Sequence, residues 1–288
     1  MPIDYALILS AGLGTRMGQI GKQLPKVLWP IFFKSMLELQ IKYCQSLGIK
    51  KIFVNTHFLY REIDEYLKVA SLYESITILH ESELLDSGGA IHNFAAREDV
   101  NYRGKLLLVN GDQFLFFDKS KWLEAIEQLS TCRSVLFGII VNKNSIYNET
   151  VVEKNKLVEI RKNTLKKRDF MTYSGLGLLN LEGLKPVSGV SKFFDTVADY
   201  KTENVEMLSL SNFEYWDFGN ADIYVQNIFK LEGDRKEKSQ MGQFLCKQFG
   251  FNANENLFIN VKSHAIDLDY SGIFQPGTIH SKGIFQKI

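Results

Sequence analysis

Short apolar runs alternate with amphipathic helical patterns through the first half of the chain, and this alternation constrains the fold more than any other feature. Five runs predict strands, because each is short, rich in Val, Ile, Leu or Phe, and bounded by turn residues. They are Tyr5–Leu9, 51–55, Ile76–His80, Lys105–Asn110 and Ser134–Val141. Strands that alternate with helices at this spacing favour right-handed βαβ units and a mostly parallel sheet.

Helical patterns separate these strands. Ser35 followed three residues later by Glu38 is a capping box that predicts the start of the first helix, and Gly48 stands where that helix ends. Apolar residues at helical spacing predict three more helices. These helices include residues 63–67, 89–97 and 122–129.

The second half of the chain has a different pattern. Residues 150–153 and 156–161 predict a hairpin that turns at Lys154 and Asn155. Further strands are predicted over 172–181, 205–210 and 215–218, and a helix over 220–231. The charged run 232–238 then predicts a boundary between a domain of residues 1–232 and a C-terminal part of residues 233–288.

The C-terminal part combines one amphipathic helix with short alternating segments. Met241, Phe244, Leu245 and Phe249 form the apolar side of the helix. The glycines that follow recur in an irregular six-residue rhythm, and a short left-handed β-helix is an alternative to ordinary short strands there.

Composition excludes several classes of protein. Among 288 residues, 34 Lys and Arg oppose 33 Asp and Glu, so no overall basic field points to a nucleic-acid partner. The three cysteines fit neither a disulfide framework nor a zinc pattern, and favour a reducing compartment. No signal peptide or bilayer-spanning apolar stretch is present, so we expect a cytoplasmic protein without a membrane partner.

Ligands of parallel sheets bind at the carboxyl ends of the strands, and the first strand ends in a loop of small residues. Such residues let backbone N–H groups approach a phosphate or a base edge, and Arg16 adds a forked cation. The loop reads Ser10-Ala11-Gly12-Leu13-Gly14-Thr15-Arg16. Its spacing fits neither the Rossmann glycine fingerprint nor a P-loop.

Three further charged residues stand where chemistry is expected. Lys26 follows Pro25, which fixes the backbone just before the lysine. Asp112 follows the predicted strand Lys105–Asn110 across a glycine, and Asp217 ends another strand between aromatic residues. Carboxylates in such positions suit Mg²⁺, which binds through one or two of them together with substrate phosphates. Each aspartate is also compatible with a structural role such as a helix cap.

Taken together, these motifs resemble the sugar-1-phosphate nucleotidyltransferases, and most closely the N-acetylmuramate-1-phosphate uridylyltransferase and mannose-1-phosphate guanylyltransferase-like members. The resemblance covers residues 3–231 and keeps the family's order of motifs. Besides the glycine loop and Pro25-Lys26, the motifs are Asp86-Ser87-Gly88-Gly89-Ala90-Ile91, Leu108-Val109-Asn110-Gly111-Asp112, Tyr173-Ser174-Gly175 and Trp216-Asp217-Phe218-Gly219. It implies a Rossmann-like, three-layer α/β/α (GT-A-like) fold with a mixed, mostly parallel sheet and a short C-terminal extension.

The resemblance also implies an activity and a site. The chain would transfer a nucleoside monophosphate from a nucleoside triphosphate to a sugar 1-phosphate, with Mg²⁺ as cofactor, in nucleotide-sugar biosynthesis for cell envelope polysaccharide. Arg16, Lys26 and Asp112 would be catalytic, and Asp112 and Asp217 would bind the metal. The nucleotide would contact Ser10, Ala11, Gly12, Gly14, Thr15, Arg16, Glu81, Gly88, Gly89 and Asn110, and the sugar would contact Tyr173 and Gly175.

Some features leave alternatives open. Residues 17–21 depart from the run that family members often carry after the arginine, and 159–163 match the family's Glu-Lys-Pro sugar-side motif only in part. Residues 233–288 have no equivalent in the shortest relatives, and would serve homo-oligomerisation or the acceptor pocket. A phosphocholine cytidylyltransferase and a catalytically silent nucleotide-sugar-binding module are the competing functions.

Overall fold

The structure is a computed structural model that describes residues 3–97, 100, 102–233, 239–249, 259–260 and 262–288. The strands are β1 Tyr5–Leu9, β2 Pro30–Ile31, β3 Lys34–Ser35, β4 Lys51–Thr56, β5 Ile76–His80, β6 Lys105–Asn110, β7 Gln113–Phe117, β8 Ser134–Val141, β9 Asn148–Glu153, β10 Lys156–Lys162, β11 Phe170–Asn180, β12 Val205–Ser209, β13 Phe213–Asp217, β14 Ile259–Asn260, β15 Ala265–Asp267, β16 Thr278–Ser281 and β17 Ile284–Lys287. The helices are α1 Met36–Ser46, α2 Tyr60–Val69, α3 Asp86–Ala96, α4 Lys119–Gln128, α5 Phe193–Thr196, α6 Ala221–Gly233 and α7 Gln240–Phe249.

The main sheet has the strand order β5-β4-β1-β6-β11-β8-β12-β10-β9. Strands β5, β4, β1 and β6 run parallel, and β11 pairs antiparallel with β6. In the register, Leu9 lies opposite Asn55 on one side and Asn110 on the other. The carboxyl ends of the central strands therefore meet at one edge of the sheet, as the sequence predicts.

Helices cover both sides of this sheet. Along β1, Ala6 and Ile8 join an apolar cluster that includes residues of α1, α2, α4 and α6. Leu7 points the other way, into a second cluster with residues of α3 and α5. The alternation of side chains along a strand thus divides the core into two layers, and the three-layer α/β/α prediction is confirmed.

Local structure agrees with the sequence at the β9–β10 hairpin and, in part, at the start of α1. Ser35 caps α1, because its Oγ accepts the Glu38 N–H at 3.1 Å. A complete capping box would also have the Ser35 N–H donate to the Glu38 carboxylate, and this part of the prediction is wrong. The Glu38 carboxylate instead pairs with Lys34 and accepts the Tyr66 hydroxyl, and the Ser35 N–H donates to the oxygen of that hydroxyl. Strands β9 and β10 form the predicted hairpin, and both turn residues, Lys154 and Asn155, have left-handed backbone angles.

A short ribbon of two strands sets the position of Asp217; the sequence predicts one of them, over 215–218, but not its partner β7. Strand β7 begins immediately after Asp112 and pairs antiparallel with β13, with Gln113 opposite Asp217. The Phe218 N–H donates to the Asp112 carbonyl at 2.9 Å and continues the ladder. Two aspartates 105 positions apart in the chain therefore end up side by side.

The C-terminal strands form their own small sheet of order β14-β15-β16-β17. The pairs at its two ends are antiparallel and only the β15–β16 pair is parallel, so the β-helix alternative is wrong for the described residues. Ile266 and Ile279 of this sheet join the larger apolar cluster.

The division of the chain at residue 232 stays a prediction. Among the described helices, none has the length and hydropathy needed to cross a membrane.

Candidate active site

A cleft of about 570 Å³ opens at the carboxyl ends of the central strands. Residues of β1, β4 and β6, and the residue directly after β5, line it together, as expected for a parallel sheet. Its lining residues are Leu9, Ser10, Ala11, Gly12, Arg16, Lys26, Val27, Asn55, Glu81, Leu84, Asp86, Ser87, Asn110, Asp112, Gln113 and Val190.

The glycine loop runs along one side of the cleft. Nothing lies within 4 Å of the position where Gly12 would carry a side chain, so the backbone there faces open space. Gly14 has φ +64° and starts the 3-10 turn that carries Arg16. The departure from the family's usual run folds as a second 3-10 turn over Ile20–Lys22, with Met17 and Ile20 buried beneath it.

A chain of hydrogen bonds joins the ends of three strands across the cleft floor. The Ser10 N–H donates to Asn55 Oδ1 at 2.7 Å, and Asn55 Nδ2 donates to Glu81 Oε1 at 2.8 Å. The Leu85 N–H reaches Glu81 Oε2 at 3.3 Å. Burial raises the pKa of Glu81, while these donors act in the opposite direction. Sequence analysis missed Asn55, although it ends a predicted strand next to the one that ends at Leu9.

Lys26 and Asp112 form an ion pair at the cleft wall. Lys26 opens a short 3-10 helix directly after Pro25, whose backbone is extended. Gly111 allows the close approach of Asp112, because a side chain at Gly111 would lie 2.8 Å from the Leu9 carbonyl. The two charged groups are thus held within reach of each other by the turns that precede them.

A buried glutamine supports the turn that carries Asp112. Gln40 is fully buried in α1, and its Nε2 donates to the carbonyls of Gln113 at 2.5 Å and Asn110 at 3.3 Å. Sequence analysis missed Gln40. The available signal was its position on the apolar side of the helix, between Leu37 and Cys44, where a polar residue is unusual.

Asp112 and Asp217 face the same small space. A methyl group added to Gly219 would lie 2.8 Å from Asp217 Oδ1, 3.1 Å from Asp112 Oδ2 and 3.6 Å from Arg16 Nη2. Burial, and then repulsion by Asp112, raises the pKa of Asp217. Two carboxylates that both lie against Gly219 suit a divalent cation, which would relieve their repulsion.

Asp217 also has hydrogen-bond donors on its own side of the site. The Gly219 N–H donates to Oδ1 at 2.7 Å, and the Tyr147 hydroxyl donates to Oδ2. Both bonds lower the pKa of Asp217 and so favour its ionised form. Sequence analysis missed Tyr147, which lies in a loop before β9 and carries no motif of its own.

The double glycine packs against protein rather than lining the cleft. A side chain at Gly88 would lie 2.6 Å from the Lys192 backbone, and one at Gly89 would lie 2.5 Å from the Gly189 carbonyl. The Gly89 N–H donates to the Ser191 carbonyl at 3.0 Å. The glycines let the loop with Val190 approach α3, and Ser87 and Val190 then face the cleft.

Of the two sugar-side residues, Gly175 lies against the cleft lining and Tyr173 packs among aromatic side chains. Gly175 has φ +84°, and its α-carbon faces the side chains of Asn110 and Gln113. Tyr173 is stacked with Phe193 at a ring distance of 5.9 Å. Its buried hydroxyl has no hydrogen-bond partner among the residues described in the structure, and burial raises its pKa.

The structure brings most of the predicted residues to one place. Those that line the cleft are Ser10, Ala11, Gly12, Arg16, Lys26, Glu81, Asn110 and Asp112. Those outside its lining are Gly14, Thr15, Gly88, Gly89, Tyr173, Gly175 and Asp217. Of this second group, Asp217 lies next to Asp112, and Gly14 and Thr15 shape the glycine loop. The roles of all these residues stay predictions.

Comparison with known sequences agrees with the class of fold and site described above. The family described as Nucleotidyl transferase matches residues 5–159, more than half of the chain. The chain therefore belongs to the nucleotidyl transferase family. The match contains the glycine loop, Lys26, Glu81 and Asp112.

Individual relatives are similar over shorter stretches. D-glycero-alpha-D-manno-heptose 1-phosphate guanylyltransferase of Campylobacter jejuni is 37% identical over 117 residues, which are 40% of this chain and 51% of the relative. Choline-phosphate cytidylyltransferase of Streptococcus pneumoniae is 38% identical over 111 residues, 38% of this chain and 45% of the relative. The chain spans about half the length of these curated relatives.

Solved structures confirm the fold. HddC from Yersinia pseudotuberculosis, solved as a complex with GMP-PN, has a TM-score of 0.66 at 20% identity. The similarity covers 80% of this chain and 100% of HddC. The Rossmann-like nucleotidyltransferase fold expected from the sequence is therefore confirmed.

Proposed function

We propose that the protein transfers a nucleoside monophosphate from a nucleoside triphosphate to a sugar 1-phosphate, with release of pyrophosphate. The observation that carries this proposal is the meeting of Arg16, Lys26, Asp112 and Asp217 beside a cleft formed by strand ends. Family membership supports the same reaction type. The proposed product is a nucleoside diphosphate sugar.

The reaction requires two anions to approach each other. An oxygen of the sugar phosphate attacks the α-phosphorus, a new P–O bond forms, and the bond to pyrophosphate breaks. Lys26 and Arg16 reduce the repulsion and hold the reacting groups in line. A phosphate is already ionised near neutral pH, so no side chain has to remove a proton from the nucleophile.

The proposed cofactor is Mg²⁺, held by Asp112 and Asp217. The fit rests on the two carboxylates that face one space and on the raised pKa of Asp217. When bound, such an ion supplies positive charge to phosphate oxygens. Lys26 is paired with Asp112 at this site, so its ammonium group can bind a phosphate oxygen when the carboxylates bind the cation.

For the base we propose guanine. Glu81 is one of the residues that line the cleft, and its buried carboxylate has lone pairs beyond those used by Asn55 and the Leu85 N–H. Guanine presents a ring N–H and an amino group side by side, and the two oxygens of a carboxylate can accept hydrogen bonds from both at once. The guanylyltransferase name of the Campylobacter jejuni relative supports the same base.

Phosphocholine is the competing acceptor, supported by the Streptococcus pneumoniae relative. A quaternary ammonium group is usually recognised by aromatic side chains. The lining of the cleft contains no aromatic side chain within the described part of the chain, which favours a sugar. A catalytically silent binding module would be expected to lose Lys26 or Asp112, and both are present.

Pyrophosphate release tests the proposed function. GTP, UTP, dTTP and CTP are each combined with sugar 1-phosphates and with phosphocholine, in Mg²⁺ and in EDTA. We expect Mg²⁺-dependent release with GTP and a sugar 1-phosphate. Release only with CTP and phosphocholine would favour the competing transferase, and nucleotide binding without release from any pair would favour the silent module. Homo-oligomerisation, a cytoplasmic location and the lack of a nucleic-acid partner also stay predictions.

Tyr147→Phe is expected to weaken activity on the acid side of the pH profile. The hydroxyl bond lowers the pKa of Asp217, so its removal raises that pKa further and keeps the carboxyl protonated to higher pH. A protonated Asp217 binds a cation poorly. We expect kcat/KM at limiting Mg²⁺ to fall several-fold at low pH and to stay near wild type at high pH.

The matched control is Tyr73→Phe, which removes a hydroxyl from an exposed tyrosine outside the lining of the cleft. It should leave the whole profile unchanged. An acid limb that does not move in Tyr147→Phe would contradict the role given to this hydrogen bond.

A further inference from the structure

The C-terminal strand β17 contacts the loop of residues 17–25, which follows the glycine loop and leads to Lys26. Gln286 Oε1 accepts the Ile20 N–H at 3.3 Å. Its amide group also lies against Gly18, whose φ of +71° and missing side chain allow the approach, since a β-carbon there would fall 2.5 Å from Gln286 Nε2. One side chain from near the end of the described chain thus holds two residues of the loop.

A second contact lies a few residues further along the same loop. Lys282 Nζ donates to the Gln23 carbonyl at 3.2 Å and pairs with Glu62 Oε2 of α2 at 3.0 Å. Lys282 therefore links the loop to a helix of the main core. Because the side chains of Lys282 and Glu62 are 40% and 42% exposed to solvent, we expect this ion pair to contribute little stability.

The strand that carries Gln286 is itself fixed to the core. β17 pairs with β16, in which Ile279 lies opposite Gln286. Ile279 is 1% exposed and belongs to the same apolar cluster as Met17, Ile20 and Val27. The C-terminal sheet and the loop therefore contribute to the same apolar cluster, and the strand that carries Gln286 is anchored to it through β16.

The residues that contact the C-terminal sheet, Gly18, Ile20 and Gln23, lie in the chain between Arg16 and Lys26, the two cationic side chains of the proposed site. Arg16 precedes Gly18 and Ile20, and Lys26 follows Gln23, and both cations line the cleft. The segment between them is made of short 3-10 turns, which have few hydrogen bonds of their own. An outside acceptor for the Ile20 N–H therefore limits the positions that this segment can adopt.

We propose that Gln286 is a positioning residue for triphosphate binding, acting through the loop that carries Arg16 and Lys26. The C-terminal sheet would then be part of the nucleotide site's support, in a region for which the sequence suggests oligomerisation or the acceptor pocket. This inference rests on the proposed function, since it assumes that the two cations bind the triphosphate. It predicts that loss of the Gln286 acceptor weakens binding of the nucleoside triphosphate and leaves the KM for the sugar 1-phosphate unchanged.

The test is Gln286→Met, which keeps the length of the side chain and removes the acceptor oxygen. Lys287→Met is the matched control, because it changes the next residue of β17 at an exposed position. GTP affinity is measured by titration calorimetry, KM for each substrate and kcat by pyrophosphate release, and Tm by thermal unfolding, all on the full chain.

We expect Gln286→Met to weaken GTP binding and raise its KM about five-fold, the effect of one neutral hydrogen bond. The KM for the sugar 1-phosphate and the Tm should match those of Lys287→Met. Wild-type GTP affinity in Gln286→Met, or equal losses for both substrates, would overturn the inference alone. A wild-type protein that binds no nucleoside triphosphate would overturn the proposed function and this inference with it.

Discussion

Replacement of Lys26 by methionine is expected to lower kcat/KM for nucleotidyl transfer by about 10²-fold or more. A preorganised charge directed at the developing negative charge of a transition state contributes on the order of 3 kcal/mol. Lys26 is held for this role by Pro25 and by its ion pair with Asp112. Methionine has a similar length and no charge, so the change removes the cation with little change in volume.

Lys22→Met is the matched control for this substitution. Lys22 lies in the same loop, four residues before Lys26, and is exposed. It should keep kcat/KM within about two-fold of wild type, as expected for a surface charge. Lys26→Arg should recover only part of the activity, because a planar fork replaces a compact ammonium group. Near-wild-type kcat/KM in Lys26→Met would contradict the role of this lysine.

Asp217→Asn is expected to change activity and stability in opposite directions. Loss of one carboxylate from the proposed cation site should lower kcat/KM by about 10²-fold at limiting Mg²⁺, since a bound metal contributes several kcal/mol to the transition state. Asn keeps the shape of the side chain and can still accept the Gly219 N–H. Asp112→Asn should show a comparable loss.

The stability effect follows from the pKa of Asp217. This pKa is higher in the folded protein than in the unfolded chain. The protonated carboxyl group therefore stabilises the folded state at low pH, and this stabilisation is lost as the pH rises through the pKa of the folded protein. Near neutral pH the ionised group therefore lowers the free energy of unfolding. Asn avoids this penalty, so the variant should have a higher Tm than wild type in EDTA.

Asp222→Asn serves as the control, because Asp222 is an exposed carboxylate five residues further along the chain. It should change neither kcat/KM nor the Mg²⁺ dependence of Tm. Mg²⁺ should raise the Tm of wild type in the presence of GTP and raise that of Asp217→Asn much less. Equal activity of wild type and Asp217→Asn at limiting Mg²⁺ would count against the cation assignment.

Much of the fold could be predicted because its signals are local. Strands such as Tyr5–Leu9 and Lys105–Asn110 are continuous apolar runs bounded by turns, as expected of strands buried on both sides. The sequence also predicts that the residues after these strands share one edge of the sheet. Ser10 and Asp112 do line the same cleft for that reason.

The parts of the fold and of the candidate site that the sequence did not predict depend on contacts between residues distant in the chain, which no local pattern specifies. Asp217 reaches Asp112 only because β7 and β13 pair, and the aromatic run of β7 was available as a strand signal that was not used. Asn55 and Tyr147 matter through partners that are distant in the chain. The register of a long-range pair is set by the whole packed core, which sequence spacing does not show.

The double glycine illustrates a different limit. The resemblance implies that Gly88 and Gly89 contact the nucleotide, whereas the structure packs both against the backbone of residues 189–192. Their nucleotide contact stays a prediction. A small residue is required in either case, so a motif alone does not distinguish close approach of a ligand from close approach of the protein's own backbone.

Anomalous diffraction from Mn²⁺ tests the central claim most directly. Crystals would be grown with Mn²⁺ and a non-hydrolysable GTP analogue, and the ion located by its anomalous signal. The account predicts one ion bound by the carboxylates of Asp112 and Asp217 and by the triphosphate, with Lys26 on a phosphate oxygen. An ion that binds the triphosphate without contact to either aspartate would contradict it.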